Sequence, residues 1–284
     1  MTFLNSIKVK ILIVSIALAA IPVIAVSVLL GMQATSAAEH ALEDQVANQL
    51  ISIREIKKGQ IENYLKALEK RVKTYSVDSA TVLYAQKLNI YYGGDKRKLT
   101  DVSEQKKNLI EFYQGPVNAA YQQSNPAPLA NPASLVEQLD PIGIALQNSF
   151  IALNEAAFGE KHNLINPDDG TTYATAHGES HRVLKRMYEK LNISDMYLIN
   201  PDGDVIYSVQ KNPDFASNLN KGPYKDSNLA KTYKAAIESG DSAFVAISDI
   251  EPYAGNFNQP SMFIASPIQD METDDAFEIL SVMV

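Results

Sequence analysis

The feature that most constrains this chain is the uncharged run Ile11–Leu30, ILIVSIALAAIPVIAVSVLL. At 1.5 Å per residue, about 20 apolar residues match a hydrocarbon core of roughly 30 Å. The run therefore reads as a membrane span over residues 11–32. Lys8 and Lys10 on its N-terminal side place residues 1–10 in the cytoplasm by the positive-inside rule. Pro22 falls mid-run, a position that membrane helices tolerate. A cleaved secretory signal is the rival reading, because Ala34-Thr35-Ser36-Ala37-Ala38 offers small residues at a cleavage distance. Its apolar region is normally about 7–15 residues, shorter than this one. Both readings export the rest of the chain.

The exported part is long enough for one large domain or two small ones. The net charge of −8 argues against nucleic-acid binding, which needs basic stripes. Cysteine is absent, so no disulfide or thiolate chemistry is available.

From Gln33 to about Leu88 the pattern predicts one long helix, roughly 80 Å in length. Leu42, Val46, Leu50, Ile53, Lys57 and Ile61 keep helical spacing, and Leu65, Leu68, Val72 and Tyr75 continue it. So narrow a stripe suits a second helix, either of a homodimer partner or of the same domain. Residues 89–191 read as mainly helical, with Gly93-Gly94-Asp95 ending the first helix, an amphipathic stretch at Val102–Tyr121 and a helix at Tyr173–Leu191. From residue 192 to 284 the pattern changes. Met196–Ile199 and Val205–Val209 read as strands joined by the hairpin turn Asn200-Pro201-Asp202-Gly203-Asp204. A helix over Asn228–Ser239 and strands at Ala243–Ser248, Met262–Ser266 and Phe277–Val284 complete an α+β fold. The expectation is a five-stranded antiparallel sheet with helices on one face.

Several segments in order resemble the extracytoplasmic Cache sensor modules of bacterial methyl-accepting chemotaxis proteins. They are FGEKHNL (Phe158–Leu164), the Asp169, Gly170, Tyr173, His177, His181 run, DMYLINPDGDVIYSV (Asp195–Val209), NLNKGPYKDSNLAKTYKAA (Asn218–Ala236), SDIEPYAG (Ser248–Gly255) and PSMFIASPI (Pro260–Ile268). Such modules also serve some membrane nucleotide cyclases and histidine kinases. The resemblance covers roughly residues 158–284. It implies a PAS-like sheet that binds a small molecule outside the inner membrane of a bacterium. It also implies a second span and cytoplasmic relay and signalling domains beyond residue 284. The usual glycine-rich turn before the last strand is here Gln269-Asp270-Met271-Glu272-Thr273-Asp274-Asp275, a departure from the pattern. The Trp-containing pocket of the amine and amino-acid receptors is not carried over, because the chain has no Trp. A complete anchored binding protein, ending at Val284, is the alternative from another class.

His177 and His181 lie four apart and share a helix face. A metalloprotease helix needs Glu directly after the first His, but Glu179 stands one position late. A metal site with His162, a hydrogen-bonded structural pair and a ligand-pocket role are the remaining readings; the expectation is no bound metal. Tyr224 and Asp226 either line the pocket or, through Asp226 or Ser227, cap the helix beginning near Asn228. The Asn200–Asp204 turn lacks the late bidentate Glu of a calcium loop, with Lys211 in that place. Tyr197, Tyr207, Tyr253 and Phe263 are candidates to stack on a ligand or to fill the core. The expected ligand-binding set is thus Tyr173, His177, His181, Tyr197, Tyr207, Tyr224, Asp226, Tyr253 and Phe263. No catalytic pattern or cofactor signature is read, and the expectation is a sensor, not an enzyme.

Overall fold

A computed structural model describes residues 7–99, 101–268 and 279–283. The readings made for residues 1–6, for the Gln269–Asp275 turn, and for Phe277 and Val284 lie outside the described residues. The chain divides into two units, Met1–Leu65 and Lys66–Val284.

In the first unit the described chain is a single helix. This helix, α1, begins at Ile7 and as an element continues to Ser76, with Pro22 inside it. It is long and apolar enough to cross a membrane. Ile11, Leu18, Ile24 and Leu30 all point outward, as do Leu42, Val46, Leu50, Ile53 and Ile61 further along.

The second unit begins with the last turns of α1. There Leu68 and Val72 are buried with Leu191 and Ile264. Ser266 donates a 3.3 Å hydrogen bond to the Ser76 hydroxyl. The helix expected to reach Leu88 stops at Ser76. Asp78 takes an extended conformation, and its carboxylate accepts the N–H groups of Ala80 and Thr81, both at 3.1 Å. This cap satisfies two orphan donors of a new helix, α2, Ser79–Lys96. The apolar spacing continues across the break, so periodicity alone does not register it. Nor does α2 end at Gly93-Gly94. The helix passes through both glycines, and Asp95 accepts from Tyr173 N and Thr172 Oγ1, each at 2.8 Å. That places the Asp95 carboxylate on the first turn of the helix α7, Thr172–Leu191.

Between them lie α3 (Ser103–Phe112), α4 (Asn118–Gln122), α5 (Pro132–Glu137) and α6 (Pro141–Gln147). A π turn, Tyr113–Val117, joins α3 to α4, and a second, Asn148–Ala152, continues α6. Asp140 caps α6 through Gly143 N at 2.9 Å. Gly143 is required there, because a Cβ would stand 2.5 Å from the Ala216 carbonyl oxygen.

Strands β1 (Met196–Ile199) and β2 (Val205–Ser208) form the hairpin. Helix α8, Asn228–Glu238, is capped by Ser227, not Asp226. Next come β3 (Ala246–Ile247), the pair β4 (Glu251–Tyr253) and β5 (Gln259–Ser261), then β6 (Ile264–Ile268) and β7 (Ile279–Met283). The antiparallel main sheet has the order β2-β1-β7-β6-β3, and β4-β5 form a separate hairpin.

The fold is α+β, but helices do not keep to one face of the sheet. Strands β1 and β2 are buried at every position. Met196, Leu198 and Tyr207 pack toward α2, α6 and α7. Tyr197, Ile199 and Val205 pack toward α8, with Tyr253 and Phe263. The runs MYLI and VIYS lack the polar alternation of a strand with one wet face, so both faces need cover.

Candidate ligand cleft

The end of β1 and the chain after β2 are clamped together by Asp195. This carboxylate is buried and accepts from Ser208 Oγ (2.8 Å), Val209 N (2.9 Å), Gln210 N (3.1 Å) and its neighbour Met196 N (2.7 Å). Burial pushes its pKa up, against the pull of these hydrogen bonds and of Lys211. Lys211 sits in the left-handed region at φ 56° and is itself buried. Its ammonium donates to the Ser208 carbonyl and lies 4.4 Å from the Tyr207 ring centroid and 4.8 Å from that of Phe215. Burial lowers its pKa to about 7, while the Asp195 charge opposes the fall.

Beside this clamp opens a cavity of about 310 Å³. Its floor is Asp195 and Tyr197 from β1, with Gln210 and Asn212 from the loop after β2. Tyr253, Ser261 and Phe263 form one wall, and the Asn256-Phe257 turn closes its edge. The opposite wall is Ala120, Gln123 and Ser124 at the end of α4, together with Phe158-Gly159. The rings meet steeply. Tyr253 and Phe263 centroids are 4.9 Å apart at 81°, and Phe158 and Phe257 are 4.9 Å apart at 70°. Gln210 gives Nε2 to the Tyr188 hydroxyl at 2.7 Å, and its Oε1 has no hydrogen-bond partner. Behind Tyr253 lies Asp214, whose Oδ2 accepts the Tyr253 hydroxyl at 2.7 Å. Burial, then the Asp195 charge, push the Asp214 pKa up to about 7.

The expected ligand-binding residues divide among four places. Tyr197, Tyr253 and Phe263 line the cavity. Tyr224 is buried behind Tyr253, its ring centroid 6.0 Å away. Asp226 is on the surface, ion-paired to Lys225 at 2.5 Å. The other four lie on the far side of the sheet, in the core under α7. Tyr173 donates to the Ile206 carbonyl at 2.6 Å. His177 Nδ1 bonds the Ile165 carbonyl at 2.8 Å, and His181 bonds the His162 carbonyl at 2.7 Å and the Tyr207 hydroxyl at 2.8 Å. The two imidazoles stack with centroids 4.7 Å apart. Leu198 pairs with Tyr207 across the hairpin, so Tyr207 shares the Leu198 face and Tyr197 the other.

Burial holds both histidines neutral. It drives the His177 pKa well down and that of His181 to about 3, with Lys211 adding to each fall. Unfolding frees these rings to take up protons below about pH 6.5. The unfolded state then binds more protons, so their contribution is full above that pH and lost as pH falls toward 3. A His181→Gln variant should therefore lose stability less steeply than the parent, by up to about 1.4 kcal/mol per pH unit at this site. Urea midpoints at a series of pH values check this; parallel curves for parent and variant would sink it.

Sequence reasoning missed Gln210, Asn212, Phe257, Gln123 and Ser124, which line the cleft from loops and just past a helix end, and Asp214 behind Tyr253. Asp195 and Phe158 each open a segment of the sensor-module resemblance, and that was the one signal for them. Compared with protein-family models, curated proteins and solved structures, the chain finds no match in any of the three.

Proposed function

We propose that this chain is the ligand-sensing part of a membrane-anchored receptor of the chemoreceptor class. In this reading the Lys66–Val284 unit is a PAS-like Cache module on the extracytoplasmic side of a bacterial inner membrane, and α1 is its anchor. The exposed Leu42–Ile61 stripe pairs with a second copy. The observation that carries the proposal is the aromatic- and amide-lined cleft, of a size suited to a small solute.

A route from the cleft to the helix is short. Phe263 lines the cavity, and the next residue, Ile264, packs on Leu68 and Val72 of α1. A solute that moves Phe263 favours one of two packings of Ile264, and the last turns of α1 follow. Only a difference in affinity between those packings drives the shift.

The test is a screen of small metabolites by thermal shift on the full chain in detergent. A compound that stabilises the parent should bind at least about tenfold more weakly to Tyr197→Ala or Asn212→Ala, a loss of about 1.4 kcal/mol. Asp226→Ala, outside the cleft, should bind as the parent does. Equal binding by all three variants would remove the cleft as the site.

A further inference from the structure

Resting on the proposed sensor role, we infer that the cleft selects an organic cation, an amine or quaternary ammonium, over anions and neutral solutes. The argument begins with charge. Among the described residues lining the cavity there is no Lys, Arg or His, and one carboxylate, Asp195. A carboxylate or phosphate ligand would lose its hydration there without a cation to meet it. The nearest buried ammonium groups are committed elsewhere. Lys161 Nζ donates to the carbonyls of Ile151, Asn154 and Ala156. Lys211 Nζ is turned onto the Ser208 carbonyl and the Tyr207 and Phe215 rings.

What the walls do offer suits a cation. Five rings line the cavity, those of Phe158, Tyr197, Tyr253, Phe257 and Phe263. Ring faces attract positive charge, more strongly when water is excluded. Gln210, which lines the cavity, has a buried Oε1 without a hydrogen-bond partner, an acceptor that a small turn of its side chain would bring to a ligand N–H. Behind the Tyr253 ring stands the Asp214 carboxylate, so the field at that wall is negative when Asp214 is ionised.

Asp214 adds a pH signature. The groups facing it are Asp195, Tyr113, Tyr197, Tyr224 and Tyr253, with Lys211 beyond Asp195. The four tyrosines are pushed up by burial and stay neutral. A proton shared between buffer and Asp214 near pH 7 is then the one a bound cation displaces, because the cation favours the ionised carboxylate. Affinity for a cation should rise with pH through about 7, with proton release below that point.

The experiment is calorimetry on the full chain in detergent with matched probes. These are choline and putrescine, the uncharged choline isostere dimethylbutanol, and the matching anion dimethylbutanoate. The inference expects saturable binding of a cation at least about tenfold tighter than dimethylbutanol, with no saturable binding of the anion. Titrations in two buffers of different ionisation enthalpy should show proton uptake by buffer at pH 6.5, and Asp214→Asn should abolish it and flatten the pH profile. Preferential binding of the neutral or anionic probe in the cleft, lost in Asn212→Ala, would overturn the cation inference and leave the sensor reading standing. Binding of a cation unaffected by both Asp214→Asn and Asn212→Ala would also overturn it. A thermal-shift screen in which no compound of any charge depends on the cleft residues would overturn both.

Discussion

Asp195→Ala should destabilise the Lys66–Val284 unit by about 3 kcal/mol, because each buried donor left without its acceptor costs about 1–3 kcal/mol. For a unit of this size that lowers the melting temperature by roughly 10 °C. Two losses combine. Ser208 Oγ and Gln210 N lose their acceptor, Val209 N keeps only its 3.1 Å bond to the Met196 carbonyl, and the end of the hairpin is no longer clamped by the carboxylate. Lys211 also loses the charge that opposes the fall of its pKa. The alanine variant should therefore titrate Lys211 at lower pH than the parent. Thermal and urea denaturation of the full chain give the stability. A loss under about 1 kcal/mol would mean that the clamp is replaced by water, as for a surface group.

Gln147→Leu is the second large effect, expected at about 3 kcal/mol. The Gln147 amide is a buried hub. Its Oε1 accepts the Tyr113 hydroxyl at 2.6 Å, and its Nε2 donates to the carbonyls of Pro213 (2.9 Å) and Phe215 (2.6 Å). Leucine fills similar space and leaves the Phe215 carbonyl without its donor, a cost of about 1–3 kcal/mol for one buried group alone. Tyr113 retains a weaker bond to Pro213 at 3.2 Å, which limits the loss. The hub holds the two residues flanking Asp214, so the change should also loosen the Asp214–Tyr253 wall. Hydrogen exchange over residues 211–217 should accelerate in the variant. Unchanged exchange there, with or without lost stability, would separate the hub from the cleft.

Local elements of this fold were legible where one period ran unbroken. The β1–β2 hairpin was, because its turn carries Asn, Pro, Asp and Gly between two short apolar runs. Helix α7 was, because its buried face recurs at helical spacing. The break after Ser76 was not, since one aspartate overrides a pattern that continues on both sides. The cover on the sheet's second face was not legible either: the expected sheet carried helices on one face, and although the apolar runs stand in the sequence, nothing local says which layer covers them. In the cleft, Tyr197, Tyr253 and Phe263 were visible as aromatics in or beside strands. Their core alternative was just as visible, and only the tertiary structure separates Tyr197 from Tyr207 by face. Asp214 and Gln210 carried no signal, being polar residues in a loop whose burial depends on helices far away in sequence.

The π turn at Tyr113–Val117 carries one residue more than an α-helical turn, and each residue advances a helix by about 100°. Everything after it is therefore out of phase with what came before. Leu109 is buried just before the turn, and Tyr113 and Val117 are buried at its first and last positions, so the inward face is carried through it. The cleft wall formed by Ala120, Gln123 and Ser124 is thus addressed like a combination dial. A single deletion in this helix would leave the composition almost unchanged and present a different set of side chains to the cavity. What this wall presents to the cavity is set by the helix's count of residues as much as by their identity.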